Sequence, residues 1–170
     1  LRFNGVLTVQ SIPFGGWISG ASSVFRLNGW NWQDAVLATD EGLWLNWPNT
    51  YNNSGWWAEP GTSEINKEYD QQVQEIEDFF ATAKAYQSSG KGNIRLAAMK
   101  SVFEGKQRLY VYADKVKEIV AAIKFAKQYQ LTPVIVGGNE ADQVADFLAE
   151  QQVPVIIKYV HRLPSSCDLN

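Results

Sequence analysis

The sequence predicts an α/β fold in which about five parallel strands alternate with helices. Two observations in the second half of the chain carry this prediction. Residues 108–113 form an extended run, residues 133–138 and 153–160 are apolar runs rich in Val and Ile, and the segments between these runs carry apolar residues every three or four positions. Apolar strands that alternate with amphipathic helices are typical of a parallel sheet covered on both faces.

The helices of the second half follow directly from this pattern. The first strand breaks at Asp114 into a helix over 115–129, and its apolar stripe comprises Val116, Ile119, Val120, Ile123 and Ala126. After the second strand, Asn139 is in position to N-cap a helix. That helix would carry Ala141, Val144, Ala145 and Leu148 on its apolar face.

The first half is less regular. Residues 5–14 are β-branched and apolar and predict a strand, which a Gly/Ser-rich loop follows. A short helix over 32–38 leads to a second strand, GLWLNWP, which ends at Pro48. Residues 49–63 are rich in Asn, Gly, Ser and Pro and predict a long surface loop. Two helices complete this half, a long amphipathic one over 64–86 and a short one over 95–103.

Composition narrows the classes of function. The chain has 170 residues, of which 45% are apolar and 19% charged, as expected of one soluble domain over 1–170. A net charge of −3 without a basic cluster argues against a nucleic acid partner. No apolar run has the length of a transmembrane segment. The single cysteine excludes an internal disulfide and leaves the compartment undetermined, cytoplasmic or periplasmic.

Several stretches resemble a known family. The segment YVYADKVKEIVAAIKFAKQYQLTPVIVGGNEADQVADFLAEQQVPVI resembles the middle of the amidohydrolase superfamily barrel, in the imidazolonepropionase-like branch. VLTVQSIPFGGWISGASSVFRLNGWNWQDAVL and GLWLNWP are similar to the preceding strands of that barrel. The resemblance covers nearly the whole chain. It implies a fragment, an incomplete TIM-type (β/α) barrel that spans roughly strands three to seven of eight.

The resemblance also implies a chemistry. Amidohydrolases hydrolyse C–N bonds with water activated by zinc or another divalent metal, held by His-x-His on strand one, a histidine on each of strands five and six, and an aspartate on strand eight. The strand-five pattern His-Ala-Asp is Tyr112-Ala113-Asp114 here, and the strand-six position falls near Gly137. The resemblance thus implies that this chain lacks most of the ligands, holds no metal cofactor and is inactive alone.

The strand at 108–113 explains where the tyrosine should lie. Period-two alternation places Arg108, Tyr110 and Tyr112 on one face and Leu109, Val111 and Ala113 on the other. The apolar face suits the helix layer, so Tyr112 should point into the barrel at its catalytic end. A neutral phenol is a poor zinc ligand beside imidazole, but it can donate a hydrogen bond or fill the space of a metal.

The candidate pocket residues are Tyr112, Asp114, Gly137, Gly138, Asn46 and His161. Structural interpretations compete with the functional ones and are favoured here. Tyr112 could pack the barrel interior, Asp114 could N-cap the following helix, and the two glycines could form a tight turn rather than a phosphate cradle. His161 is the one histidine of the chain, so a His-rich metal site cannot form from this chain alone.

All seven tryptophans lie in the first third of the chain, at Trp17, Trp30, Trp32, Trp44, Trp47, Trp56 and Trp57. Asn46, Asn49, Asn52 and Asn53 lie beside them. Indole rings with amides could bind a glycan or a protein, and a non-catalytic binding module is therefore the alternative function. The competing interpretation places Trp30 and Trp44 in the core and Trp56 and Trp57 on a loop over the barrel rim.

The outer strands of an incomplete barrel would have unpaired edges. We expect these strands at 6–14 and 153–160, and both are apolar. Exposed apolar edges favour pairing with another chain, and two-fold assemblies are the commonest. The sequence thus predicts a homo-oligomer, with a dimer as the first expectation. The identity of any small-molecule substrate stays open.

Overall fold

The computed structural model describes residues 1–56, 59–87 and 92–158. The strands in these ranges are β1 (Thr8–Ser11), β2 (Ile18–Arg26), β3 (Val36–Asn46), β4 (Tyr51–Trp56), β5 (Glu59–Ile65), β6 (Arg108–Ala113), β7 (Pro133–Gly137) and β8 (Val155–Ile157). The helices are α1 (Trp32–Ala35), α2 (Tyr69–Tyr86), α3 (Ile94–Ala98), α4 (Lys100–Phe103), α5 (Val116–Gln128) and α6 (Ala145–Glu150). Short 3-10 turns lie at Arg2–Asn4 and Ala141–Val144.

Among the described residues, six strands form one mixed sheet in the order β1-β2-β3-β6-β7-β8, and β4 and β5 form a separate hairpin. Strands β3, β6, β7 and β8 are parallel, with Leu43 opposite Leu109 and Val111 opposite Ile135. Strands β1, β2 and β3 are antiparallel. The α/β prediction is confirmed, but the described residues form four parallel strands rather than the expected five, because the segment at 5–14 folds back as an antiparallel strand.

The main core lies between the sheet and the helices. On the sheet it includes Leu43, Leu45, Leu109, Val111 and Ile135, all on one face. Helix α2 contributes Ile76, Phe80 and Ala83, and helix α5 contributes Ile119, Ala122, Ile123, Phe125 and Ala126. The rings of Phe80 and Phe125 meet edge to face with centroids 4.9 Å apart, which joins the two helices.

The opposite face of the sheet is aromatic. Trp44, Tyr110, Val134 and Val136 form a second buried cluster, against which Ile12 and Tyr112 pack. The Trp44 and Tyr110 rings are stacked, with centroids 4.6 Å apart. The predicted alternation along β6 is therefore confirmed, since Tyr110 and Tyr112 lie on this face while Leu109 and Val111 face the helices.

The second half forms largely as predicted. Strand β6 has the predicted bounds, α5 is one residue shorter than predicted at each end, and β7 is one residue shorter at its C-terminal end. The last strand is shorter than 153–160, with β8 at Val155–Ile157, and residues 159–160 are outside the described ranges. Asn139 does not cap a helix, because the chain after β7 first makes the 3-10 turn, whose N-cap is Glu140.

The first half requires three corrections. The predicted Gly/Ser-rich loop contains β2, whose small residues fit beside β3, and the Ser22 hydroxyl donates to the Gly42 carbonyl oxygen at 3.2 Å. The predicted loop at 49–63 contains the β4–β5 hairpin, in which the Thr62 amide donates to Ser54 Oγ at 3.1 Å. The predicted helix over 32–38 ends at Ala35, because β3 begins at Val36 and is longer than GLWLNWP.

Two further boundaries shift for related reasons. Helix α2 begins at Tyr69 rather than at residue 64, because β5 extends to Ile65. The predicted helix over 95–103 is two short helices, α3 and α4, that meet at Met99. In the ranges 1–56, 59–87 and 92–158, none of the helices combines the length and apolar character needed to cross a membrane.

Candidate functional site

Three parallel strands end side by side and bring candidate residues together. Asn46 at the end of β3 lies opposite Tyr112 on β6, and Ala113 lies opposite Gly137 at the end of β7. Beyond the strands, the Gly138 amide donates to the Ala113 carbonyl oxygen at 2.9 Å. The carboxyl edge of a parallel sheet is where α/β proteins place their ligands. Asn46, Tyr112, Gly137 and Gly138 therefore share this edge.

Tyr112 is half-buried and enclosed by ring and charge contacts. Its ring centroid lies 5.3 Å from that of Trp44, and Lys158 Nζ lies 5.4 Å from it. Among the described residues, none makes a hydrogen bond with the Tyr112 hydroxyl. The ring of Tyr112 is thus packed within the fold, and its hydroxyl is available to another partner.

Asp114 does not have its predicted role. The N-cap of α5 is Lys115, and Asp114 Oδ1 instead accepts a 3.4 Å hydrogen bond from the Asn139 amide of the next loop. The first amide of α5, that of Val116, donates to Glu140 Oε2 at 3.0 Å. The N-cap interpretation of Asp114 is wrong, because the carboxylate of Glu140, in the loop after β7, accepts the hydrogen bond from the first amide of the helix.

The two glycines form a tight turn. Gly137 has φ +101° and Gly138 φ +62°, both in the left-handed region that favours glycine. A Cβ on Gly137 would lie 2.5 Å from Asp114 Oδ1. The structure after them is a four-residue 3-10 turn, without the α-helix N-terminus of a phosphate site. The geometry matches the tight-turn interpretation.

Glu118 is a functional candidate that the sequence interpretation missed. Its side chain is 2% exposed, and Oε1 accepts hydrogen bonds from the Thr50 amide at 2.7 Å and the Thr50 hydroxyl at 2.9 Å. Its Oε2 accepts from the amides of Asp114 and Lys115 at 3.3 and 3.1 Å. Glu118 thus joins the segment after β3 to the turn after β6. Its position three residues after the N-cap was the available signal.

A cleft of 370 Å³ opens at the carboxyl edge. Its walls come from the ends of β3 and β6, the β4 strand and the start of α2: Trp17, Asn46, Trp47, Asn49, Asn52, Asn66, Gln72, Tyr112, Ala113 and Asp114. A larger cleft of 800 Å³ shares Asn49 and Asp114 with it and extends toward Lys115 and Lys117. The smaller cleft combines carboxamides, two indoles and a phenol, which are groups that bind neutral polar ligands, with the carboxylate of Asp114.

The other tryptophans have different environments. Trp44 and Trp47 are buried, and Trp47 Nε1 donates to the Tyr69 hydroxyl at 3.1 Å. Trp30 is 96% exposed, so its predicted place in the core is wrong. Trp32 is exposed as well. The side chains of Trp56 and Trp57 lie outside the described part of the chain.

The described residues at this edge do not fit a divalent metal. At the strand ends, Asn46 offers an amide, Tyr112 a phenol and Gly137 no side chain, and none of these is an imidazole, thiolate or carboxylate of the kind that zinc prefers. In the part of the chain that the structure describes, no three His, Cys, Asp or Glu side chains are grouped so that they could hold a metal ion. His161 lies outside the described residues.

Comparison with known proteins identifies the fold. No protein-family model and no curated protein matches the chain. The chain is similar to the crystal structure of an amidohydrolase from Thermotoga maritima MSB8, with a TM-score of 0.78 over 96% of this chain and 17% sequence identity. It covers 45% of that chain, less than half its length. The fold is therefore amidohydrolase-like, and the mostly parallel six-stranded sheet is consistent with a partial barrel.

Proposed function

We propose that the chain is the middle part of an amidohydrolase-like barrel, of the imidazolonepropionase-like branch, whose parent hydrolyses a C–N bond with a metal-activated water. The observation that supports this most is the likeness to the Thermotoga amidohydrolase over 96% of the chain. The alternation of β6, α5, β7, α6 and β8 in the second half of the chain, which agrees with the sequence resemblance, supports it further. Neither of these two observations identifies the substrate.

The role of this chain within such a hydrolase is that of scaffold. Tyr112 occupies the strand-five position and Gly137 lies at the strand-six position, and neither offers an imidazole. We therefore expect no metal cofactor in this chain and no catalysis by this chain alone. Its residues can still shape a pocket, because the Tyr112 hydroxyl and the surrounding amides face the carboxyl edge.

An activity assay tests this proposal. The purified chain would be incubated with added zinc and a panel of acyclic amides and cyclic imides, with an intact amidohydrolase as positive control. We expect no hydrolysis above the buffer rate. Zinc-dependent turnover that is lost in Tyr112→Phe would contradict the scaffold role, because it would show that this edge is a working catalytic site.

The second candidate function is a non-catalytic glycan- or protein-binding module. The cleft favours it, since Trp17, Asn46, Asn49 and Asn52 from the Trp/Asn-rich segment line one cavity. Binding should change the tryptophan fluorescence of the chain, because Trp17 and Trp47 lie in the cleft wall. An unchanged spectrum across a broad oligosaccharide panel would count against glycan binding.

A further inference from the structure

The amide-lined cleft at the carboxyl edge has hydrogen-bonding groups that the fold does not use. Asn46 Nδ2 is engaged by the Gly16 carbonyl oxygen and Ser19 Oγ, but its Oδ1 accepts nothing from the described residues. Gln72 Oε1 accepts from Asn66 Nδ2 at 3.0 Å, which leaves its Nε2 available. Within the described ranges, the side-chain amides of Asn49 and Asn52 make no hydrogen bond.

The unused groups include both hydrogen-bond donors and hydrogen-bond acceptors. The available donors are the side-chain nitrogens of Asn49, Asn52 and Gln72 and the hydroxyl of Tyr112, and the available acceptors are the side-chain oxygens of Asn46, Asn49 and Asn52. A hydroxyl group both donates and accepts, so a ligand with several hydroxyls can match such a mixture. A purely accepting or purely donating ligand would leave part of it unpaired.

Charge in the cleft selects against anions. Among the described residues that line the cleft, Asp114 is the one ionisable acid or base apart from the phenol of Tyr112, and none is Lys or Arg. An anionic ligand would be repelled by Asp114, and the Lys158 ammonium, 5.4 Å from the Tyr112 ring centroid, belongs to a residue outside the lining. A neutral ligand meets no such penalty.

The volume of the cleft and the flat indole in its wall favour a ring-shaped ligand. The volume of 370 Å³ lies at the lower end of the roughly 300–1,000 Å³ typical of small-molecule sites. Trp17, which is partly exposed, provides an indole at the wall of the cleft, and a flat aromatic surface packs well against the C–H face of a sugar ring.

We infer that this cleft binds a neutral, hydroxyl-rich ring of monosaccharide size, held by Asn49, Asn52, Gln72 and Tyr112 and stacked on Trp17. The inference rests on the second proposed function and narrows its ligand class. Glu118 positions the wall from behind, because its carboxylate accepts hydrogen bonds from the amides of Thr50, which follows the lining residue Asn49, and of Asp114, which lines the cleft itself.

Matched sugars and variants test the inference on the full chain. The probes are methyl glucoside, galactoside and mannoside, each paired with the corresponding methyl uronoside, which has the same ring and one carboxylate. Binding would be followed by ligand-observed NMR titration. The variants are Asn49→Ala with Asn52→Ala, Trp17→Ala and Asp114→Asn, and the control is Asn28→Ala, an exposed asparagine that does not line the cleft.

We expect at least one neutral glycoside to bind and its uronoside to bind about tenfold more weakly, as one unfavourable charge contact of about 1.4 kcal/mol implies. The double asparagine variant and Trp17→Ala should each weaken binding about tenfold, Asn28→Ala should not, and Asp114→Asn should remove the discrimination between the pair.

Three outcomes would overturn the inference. They are the absence of binding by all three neutral glycosides, equal binding of glycoside and uronoside by the wild-type chain, and binding that the asparagine and tryptophan variants leave unchanged. None of these outcomes bears on C–N bond hydrolysis, which the amide and imide assay measures separately. Failure of one proposal is therefore distinguishable from failure of the other.

Discussion

The two ends of the main sheet differ in how the chain covers them. In the parallel part, each connection crosses over the sheet and brings a helix, so that Val111 and Ile135 are fully buried. In the antiparallel part, β1 and β2 are joined directly, and apolar side chains nearby such as Leu7, Phe14 and Leu37 are exposed. Strands that helices cover contribute most of the stability of the fold, whereas strands without this cover leave apolar surface exposed to other partners.

The largest expected effect comes from the helix-covered core. Phe80 is 0% exposed and touches four other aromatic rings, whereas Phe14, before β2, is 85% exposed. Phe80→Ala should lower the free energy of unfolding by about 3–5 kcal/mol, and Phe14→Ala by less than about 0.5 kcal/mol. Urea denaturation of both variants measures the difference. Equal costs would show that the two regions are equally well packed.

Glu118 tests whether the carboxyl edge depends on one buried carboxylate. Glu118→Gln keeps the shape but replaces an oxygen that accepts from two groups by an amide that cannot accept. We expect a loss of about 1–3 kcal/mol in unfolding free energy and faster hydrogen exchange at the Thr50 or Lys115 amide. The exposed Glu150 at the end of α6 provides the control, Glu150→Gln. Unchanged exchange at both amides would contradict a joining role for Glu118.

The sheet edges test the proposed homo-oligomer. The outermost strands are β1 and β8, as the sequence predicts, and Ile156 and Ile157 on β8 are exposed. We propose that a second copy covers such an edge, most simply as a dimer. Light scattering at micromolar concentration should give twice the chain mass, and Ile157→Lys should reduce it, while Ile94→Lys on α3 should not. A wild-type monomer would contradict the proposal.

A smaller effect is expected from the aromatic face of the sheet. Burial raises the pKa of Tyr110, which the carboxylate of Glu41 next to its hydroxyl raises further, although a contact with Gln10 lowers it. A raised pKa favours the neutral phenol in the folded state. Its contribution to stability is therefore complete below about pH 10, where tyrosine of the unfolded chain titrates, and is lost as the pH rises further.

Substitution isolates this contribution. Between pH 8 and pH 11, the unfolding free energy of Tyr110→Phe should fall less steeply than that of the wild type, because phenylalanine keeps the ring stacked on Trp44 and removes the ionisation. Urea denaturation across this pH range provides the values. Parallel decline of the two proteins would show that Tyr110 does not contribute.

The difference between the two regions also explains what the sequence could predict. Strand β6 and helix α5 were predicted within a residue because the crossover helix forces a change from a continuous apolar run to a helical period. Strand β2 was missed because it pairs on both sides within an antiparallel part and uses Gly20, Ser22 and Ser23, which resemble a loop. The β4–β5 hairpin was missed because most of its described side chains face solvent, so burial leaves no pattern.

Part of the candidate site could also be predicted from the sequence. The places of Tyr112 and Asn46 at the carboxyl edge were predictable, because strand alternation and strand ends are local properties. Asn66 and Gln72 join that edge through contacts between distant parts of the chain. The local capping position of Glu118 could be predicted from the sequence, but its bond from Thr50, 68 residues away, could not. No local pattern specifies that contact, so the cleft could not be predicted from the sequence.

Metal content tests most directly the central claim that this chain has the amidohydrolase-like fold without a metal site of its own. The purified full chain would be dialysed against zinc, desalted and measured by inductively coupled plasma mass spectrometry. We predict well below one zinc per chain, with no change in His161→Ala or Tyr112→Phe. One tightly bound zinc per chain that is lost in His161→Ala would contradict the account, because the chain would then hold its own metal ligands.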